Sequence, residues 1–225
     1  MSEWFGKRTF AECHDRAAES WGPREAPVHD VRRITFAELK TETDVVARGL
    51  IALGTGPGDK VVLWMPNRPE WPYTFFALSK IGAVVVPVNS RFRAKDLEYV
   101  VRQSDATTLI TVDLSGPVDY LFLIRTVVPE IETNPRHALH SNDFPELERI
   151  VILGSKVPDS AVSWSDMMAS GKAVSTGVLA NRARQVAPDD MTLIMYTSGT
   201  TGCPKGVMHC HNLRRNIIDI ANRLG

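Results

Sequence analysis

The chain has 225 residues, enough to bury a sizeable core as one large domain or two small ones. Its 26 Lys+Arg balance 26 Asp+Glu, so no global field draws it to nucleic acid or to an anionic membrane. Hydrophobic residues at 44% and charged residues at 23% suit an ordinary globular protein, and no apolar run reaches the ~18 residues of a membrane span.

Three cysteines, Cys13, Cys203 and Cys210, form an odd, sparse set that suggests a reducing compartment and no disulfide framework. Met1-Ser2-Glu3-Trp4 lacks the basic region and apolar segment of a secretory leader, so a cytoplasmic location is expected.

Taken in order, Thr9-x-x-Glu12 is a capping box that opens a helix running towards Trp21-Gly22-Pro23, which stops it. A short extended piece around Val28 to Ile34 follows. A second box, Thr35-x-x-Glu38, opens a longer helix with apolar Leu39, Val45, Val46, Leu50 and Leu53, closed by Gly54. Gly54-Thr55-Gly56-Pro57-Gly58-Asp59 comes after a helix and before a strand, the reverse of a dinucleotide loop, and reads as a turn.

The centre alternates regularly. Val61 to Met65 is an apolar strand, Pro69 to Gly82 a helix and Ala83 to Val88 a second strand. Ala94 to Ser104 is a helix and Thr107 to Val112 a third strand. Such non-alternating, β-branched strands predict an α/β fold, a parallel or mixed sheet with helices on both faces and right-handed crossovers. The aromatic residues Trp71, Tyr73, Phe75 and Phe76 are expected to pack the helix rather than stack bases, since no basic residues interleave them. Asp119 to Val128 is a further helix, and the polar stretch from Pro129 to Asn142 an irregular loop. Arg149 to Leu153 is a fourth strand, and a helix begins near Ser165 to Met168, followed by a poorly patterned stretch to Pro188. Met191 to Tyr196 is a fifth strand, and from Met208 the chain is expected to be helical to Leu224.

The fifth strand delivers the segment that carries chemistry, Tyr196 to Val207. Its glycines let backbone N–H groups converge as an anion-binding nest, and its hydroxyls add donors or a ligand for hydrated magnesium. Lys205 adds a compact positive charge; its bland alternative is to brace the loop by bonding carbonyls. The segment is not a Walker A loop, because Lys205 is followed by Gly206 rather than Ser or Thr. Cys203, His209, Cys210 and His211 match no structural zinc spacing, and no base is evident to activate Cys203.

The order Thr197-Ser198-Gly199-Thr200-Thr201-Gly202-x-Pro204-Lys205-Gly206 resembles the phosphate-loop signature of AMP-forming adenylating enzymes. That superfamily holds acyl-CoA synthetases, firefly-type luciferases and the adenylation domains of peptide synthetases. Asn67-x-x-Glu70-Trp71, Gly82-Ala83-Val84-x-x-Pro87-x-Asn89, Leu97-x-Tyr99-x-x-x-x-Ser104-x-Ala106 and Gly206-Val207-Met208-x-x-His211 extend the likeness from about Thr9 to Leu213. The flavour is closer to fatty-acyl and related carboxylate-CoA ligases.

The resemblance implies an incomplete N-terminal domain over residues 1–225, with its phosphate loop at 196–207. It also implies that the C-terminal domain, which carries the family's catalytic lysine, is absent. Thr197, Ser198, Gly199, Thr200, Thr201, Gly202 and Lys205 would grip the phosphates of ATP, and Thr197 would help to hold Mg2+. The implied reaction joins a carboxylic acid, such as a fatty acid, to coenzyme A through an acyl-adenylate, with this stretch inactive alone. His211 matches a histidine common after the family's loop, and as a residue it could equally be bonded within the core. Two other readings remain: an adenylation domain serving a carrier-protein thiol, and a catalytically silent nucleotide- or partner-binding protein. An open sheet edge would predict self-association, a homodimer included.

Overall fold

The computed structural model describes residues 6–197 and 204–215. Both capping boxes form as the sequence predicts. Thr9 and Glu12 exchange side-chain and backbone bonds at the start of α1 (Phe10–Trp21), and Thr35 and Glu38 do so at α2 (Phe36–Ala52). The extended piece between these helices is a hairpin of β1 (Glu25–His29) and β2 (Arg32–Thr35), paired antiparallel.

The alternating centre follows as β3 (Lys60–Trp64), α3 (Glu70–Ile81), β4 (Val84–Pro87), α4 (Ala94–Gln103) and β5 (Thr108–Val112). Gly82 ends α3 in the left-handed region at φ 79, which permits the sharp entry into β4 that a β-branched residue would resist. A two-residue hairpin, β6 (Leu114–Ser115) with β7 (Val118–Asp119), leads into α5 (Tyr120–Val127), capped by the Asp119 carboxylate. Then come β8 (Arg149–Leu153), β9 (Val162–Ser163), α6 (Trp164–Ser170), α7 (Thr176–Gln185), β10 (Met191–Thr197) and β11 (Lys205–Cys210).

Seven strands share one sheet in the order β11-β10-β4-β3-β5-β8-β9. All neighbours are parallel except β11, which returns antiparallel along β10. The step from β3 to β4 runs one way along the sheet, and the step from β4 to β5 runs back. Right-handed crossovers therefore put α3 and α4 on opposite faces. The packing agrees: α1, α2, α3, α6 and α7 form one layer and α4 and α5 the other. Burial on both sides explains the non-alternating strands, with all five residues of β5 and Val61 to Trp64 of β3 buried. Trp64 is fully buried edge-on to Tyr120 and donates its indole N–H to the Asn89 carbonyl at 3.2 Å.

The aromatic residues of α3 pack as expected. Tyr73 is buried, Phe75 meets Phe10 edge-on, and Trp71 stacks on Phe75. Three expectations need correction. The stretch before Pro188 contains a helix, α7, capped by the Ser175 hydroxyl accepting from the Val178 N–H. The segment Pro129 to Asn142 is not purely a surface loop, because it opens with a 3-10 turn and buries Ile131, Leu139 and Ser141. Met208 to Cys210 belong to β11, not to a helix; cross-strand bonding with β10 overrides their local preferences. Residues 216–225 of that expected helix lie outside the described residues. No helix among the described residues is long and apolar enough to cross a membrane.

Candidate phosphate-binding site

β10 is parallel to β4, so its last residue, Thr197, stands at the carboxyl edge of the sheet, where open parallel sheets bind ligands. β11 begins at Lys205, and the two residues are direct cross-strand partners, both exposed. Side chains of opposed residues share a face, so the Thr197 hydroxyl and the Lys205 ammonium flank the mouth of one hairpin. Two of the expected phosphate ligands are thus brought together. Ser198, Gly199, Thr200, Thr201 and Gly202 lie outside the described residues.

By strand alternation Tyr196 and its partner Gly206 turn to the other face, towards α4. Tyr99 of α4 donates its hydroxyl to the Pro204 carbonyl at 2.9 Å, and Tyr196 donates its own to Oε1 of Gln103. Burial, then the neighbouring Tyr99 and Asp105, push the Tyr196 hydroxyl up to about 12, so it remains a donor at any physiological pH. Neither Tyr99 nor Gln103 was among the residues singled out from sequence as ligand-holding. The only signal there was Leu97-x-Tyr99 within the resemblance.

His211 resolves to the core. It is 1% exposed, and its Nδ1 accepts the Phe10 N–H at 3.1 Å, satisfying a donor at the first turn of α1 that no helical carbonyl can reach. Three residues later Arg214, also buried, donates to the carbonyls of Arg8 and Gly6. Burial, with a contribution from Arg214 and against Asp190 and Glu12, holds the imidazole down at about 4, and only the neutral ring can accept from Phe10.

A depressed folded value means that this stabilisation is complete above the ordinary value of 6.5 and is lost as pH falls towards 4. Urea unfolding is expected to show about 2 kcal/mol less stability at pH 5 than at pH 7.5 from this group. His211→Asn, whose amide oxygen can stand in for Nδ1, should lack that share of the slope. An equal slope in both proteins would contradict the assignment.

One carboxylate at the same edge, Asp113 after β5, is already engaged. It accepts from the backbone N–H groups of Leu114, Ser155 and Lys156 at 2.7, 2.9 and 3.1 Å. Burial alone would raise its pKa, and these donors more than offset that and lower it. Its role is to tie the ends of β5 and β8. Among the described residues no group of three or more His, Cys, Asp or Glu could hold a metal ion. For magnesium the described part of the loop therefore offers one suitable ligand, the Thr197 hydroxyl.

The structure is thus a three-layer α/β fold with a hairpin at the carboxyl edge of its sheet. Residues 14–222 match the AMP-binding enzyme family, and the chain belongs to that family. It is 32% identical over 219 residues to the mitochondrial medium-chain acyl-CoA ligase ACSF2 of Mus musculus, covering 96% of this chain and 36% of that protein. The long-chain-fatty-acid-CoA ligase FadD1 of Archaeoglobus fulgidus superposes with a TM-score of 0.72 at 30% identity, over 96% of this chain and 39% of that one. The anthranilate CoA ligase AuaEII, solved with anthranoyl-AMP, gives a TM-score of 0.73 at 25% identity over 92% of this chain and 35% of that one. The chain thus spans less than two-fifths of the length of these relatives.

Proposed function

We propose that this chain holds the polyphosphate of ATP within an AMP-forming ligase that joins a carboxylic acid to coenzyme A. The observation that carries the reading is the pairing of Thr197 with Lys205 across the hairpin mouth at the carboxyl edge of the sheet. An anionic carboxylate must approach an anionic triphosphate at its α-phosphorus, so charge neutralisation and positioning can supply most of the rate. Lys205 would neutralise the outer phosphates, and the backbone and hydroxyls of 197–202 would grip them, leaving pyrophosphate held as the acyl-adenylate forms. The thiol of coenzyme A would then displace AMP to give the thioester.

Thr197 would be one residue holding magnesium, which would supply neutralising charge for the phosphates; the described residues fit that single contact. A fatty acid is the substrate we favour, supported by relatives named for medium-chain and long-chain acids, although another is named for anthranilate. We assign the phosphate grip to residues 196–207 and place the rest of the chemistry in parts of the ligase that correspond to none of these 225 residues. By itself this stretch should make no acyl-CoA from ATP, coenzyme A and a fatty acid.

Titration calorimetry with ATP and magnesium tests the assignment. Lys205→Ala is expected to weaken binding roughly 10–100-fold, the effect of losing a charge-assisted contact. Lys205 is exposed, so the variant should fold. Equal affinity for the two proteins would remove Lys205 from the site.

A further inference from the structure

The hairpin that presents the loop is gripped from one side by a single helix. Tyr99 and Gln103 are four residues apart on α4 and so project from one face of it. Each takes hold of one stem. Gln103 accepts from Tyr196 on the outgoing strand, and Tyr99 donates to the carbonyl of Pro204 on the return. The two tyrosine rings meet edge to face with centroids 6.3 Å apart.

Gly206 completes the arrangement. A Cβ there would sit 3.0 Å from Ile194 Cγ2, 3.3 Å from Tyr196 Cζ and 3.4 Å from Gln103 Oε1, so the bare backbone leaves room for the tyrosine to lie across the hairpin. The helix itself is anchored: Leu97, Val100 and Val101 are buried, and the Ser104 hydroxyl bonds the Val100 carbonyl at 2.7 Å.

We infer that Tyr99 and Gln103 are positioning residues that fix the separation of the two stems, and with it the spacing of Thr197 and Lys205 across the hairpin. The inference rests on the ATP reading above. It follows from the costs of binding: groups whose separation is held before the ligand arrives lose less conformational freedom when they bind it. The clamp touches only the stems, on the face away from Thr197 and Lys205, and so acts without meeting phosphate itself.

Hydrogen exchange and calorimetry on the full chain, for Tyr99→Phe, Gln103→Leu and Gln103→Glu, test this. Tyr99→Phe and Gln103→Leu each delete one clamp bond from a half-buried or exposed side chain. Both should speed exchange of the amides in β10 and β11 near the loop roughly 5–10-fold, with α2 unchanged. Both should weaken Mg·ATP binding roughly 3–10-fold. Gln103→Glu keeps an acceptor for Tyr196 and should stay near wild type, whereas Gln103→Leu, of similar size but with no acceptor, should not, a contrast that space filling alone would not produce.

Unchanged hairpin exchange in Tyr99→Phe and Gln103→Leu overturns the clamp. Faster exchange with wild-type ATP affinity overturns its role in binding and leaves the phosphate reading standing. If the wild-type protein shows no ATP binding at all, the phosphate reading fails, and the exchange data still decide whether the clamp exists.

Discussion

Replacing Gly171 with alanine is expected to lower stability by about 3 kcal/mol, the upper part of the range for overpacking a rigid contact. A Cβ at Gly171 would lie 2.6 Å from the Gly49 backbone nitrogen and 2.9 Å from its Cα. Gly49 is itself pressed by the same segment, its would-be Cβ 2.9 Å from the Met167 carbonyl oxygen. α2 and the turn after α6 thus touch backbone to backbone, and no rotamer can relieve the clash. For a protein of this size the melting temperature should fall by roughly 6–12 °C. Gly177→Ala supplies the contrast. Its new methyl would meet nothing closer than the Ser175 hydroxyl at 3.6 Å, inside the first turn of α7, so thermal unfolding should show no loss. Equal shifts for the two variants would refute the packing account.

Lys80→Met should be of similar size, about 3 kcal/mol, for a different reason. Lys80 is 4% exposed, and its ammonium bonds Asp15 at 2.7 Å and Asp44 at 2.6 Å. Asp44 also takes Lys40 at 2.6 Å, so the group links α1, α2 and α3 beside a cleft of about 420 Å³ next to α7. Methionine fills the space but strands two carboxylates without their shared cation. Restoring neutrality by pairing Lys80→Met with Asp44→Asn should recover part of the loss in urea unfolding. No recovery would contradict the charge account.

These two sites mark the boundary of what the sequence alone discloses. The capping boxes were legible because four consecutive residues complete their own hydrogen bonds, and β3, β4 and β5 because a strand covered on both faces must be apolar throughout. α7 was not, because Leu179 is its single buried residue and leaves no periodic stripe to read. Met208 to Cys210 were misread as helix because what makes them a strand is β10, 14 to 19 positions back.

The glycine-rich segment and Lys205 announced themselves through composition. Their opposition across a hairpin did not, nor did the hold exerted by Tyr99 and Gln103 from 105 and 93 residues away. Lys80 is hidden in the same sense, since Asp15 and Asp44 lie 65 and 36 residues distant. His211 could be read either as a site residue or as a core residue until its partner, Phe10, was seen 201 residues earlier.

That last separation is also an interval of time. A ribosome adding about 5–20 residues per second takes roughly 10–40 s to pass from Phe10 to His211. Throughout that interval the start of α1 has its local box but neither the imidazole on Phe10 nor the Arg214 bonds to Gly6 and Arg8. α1 is therefore fastened only once the chain has passed Arg214. Ribosome-bound chains stalled before and after residue 214 has left the ribosome should differ in how readily a protease reaches residues 6–21, even though those residues emerge long before it.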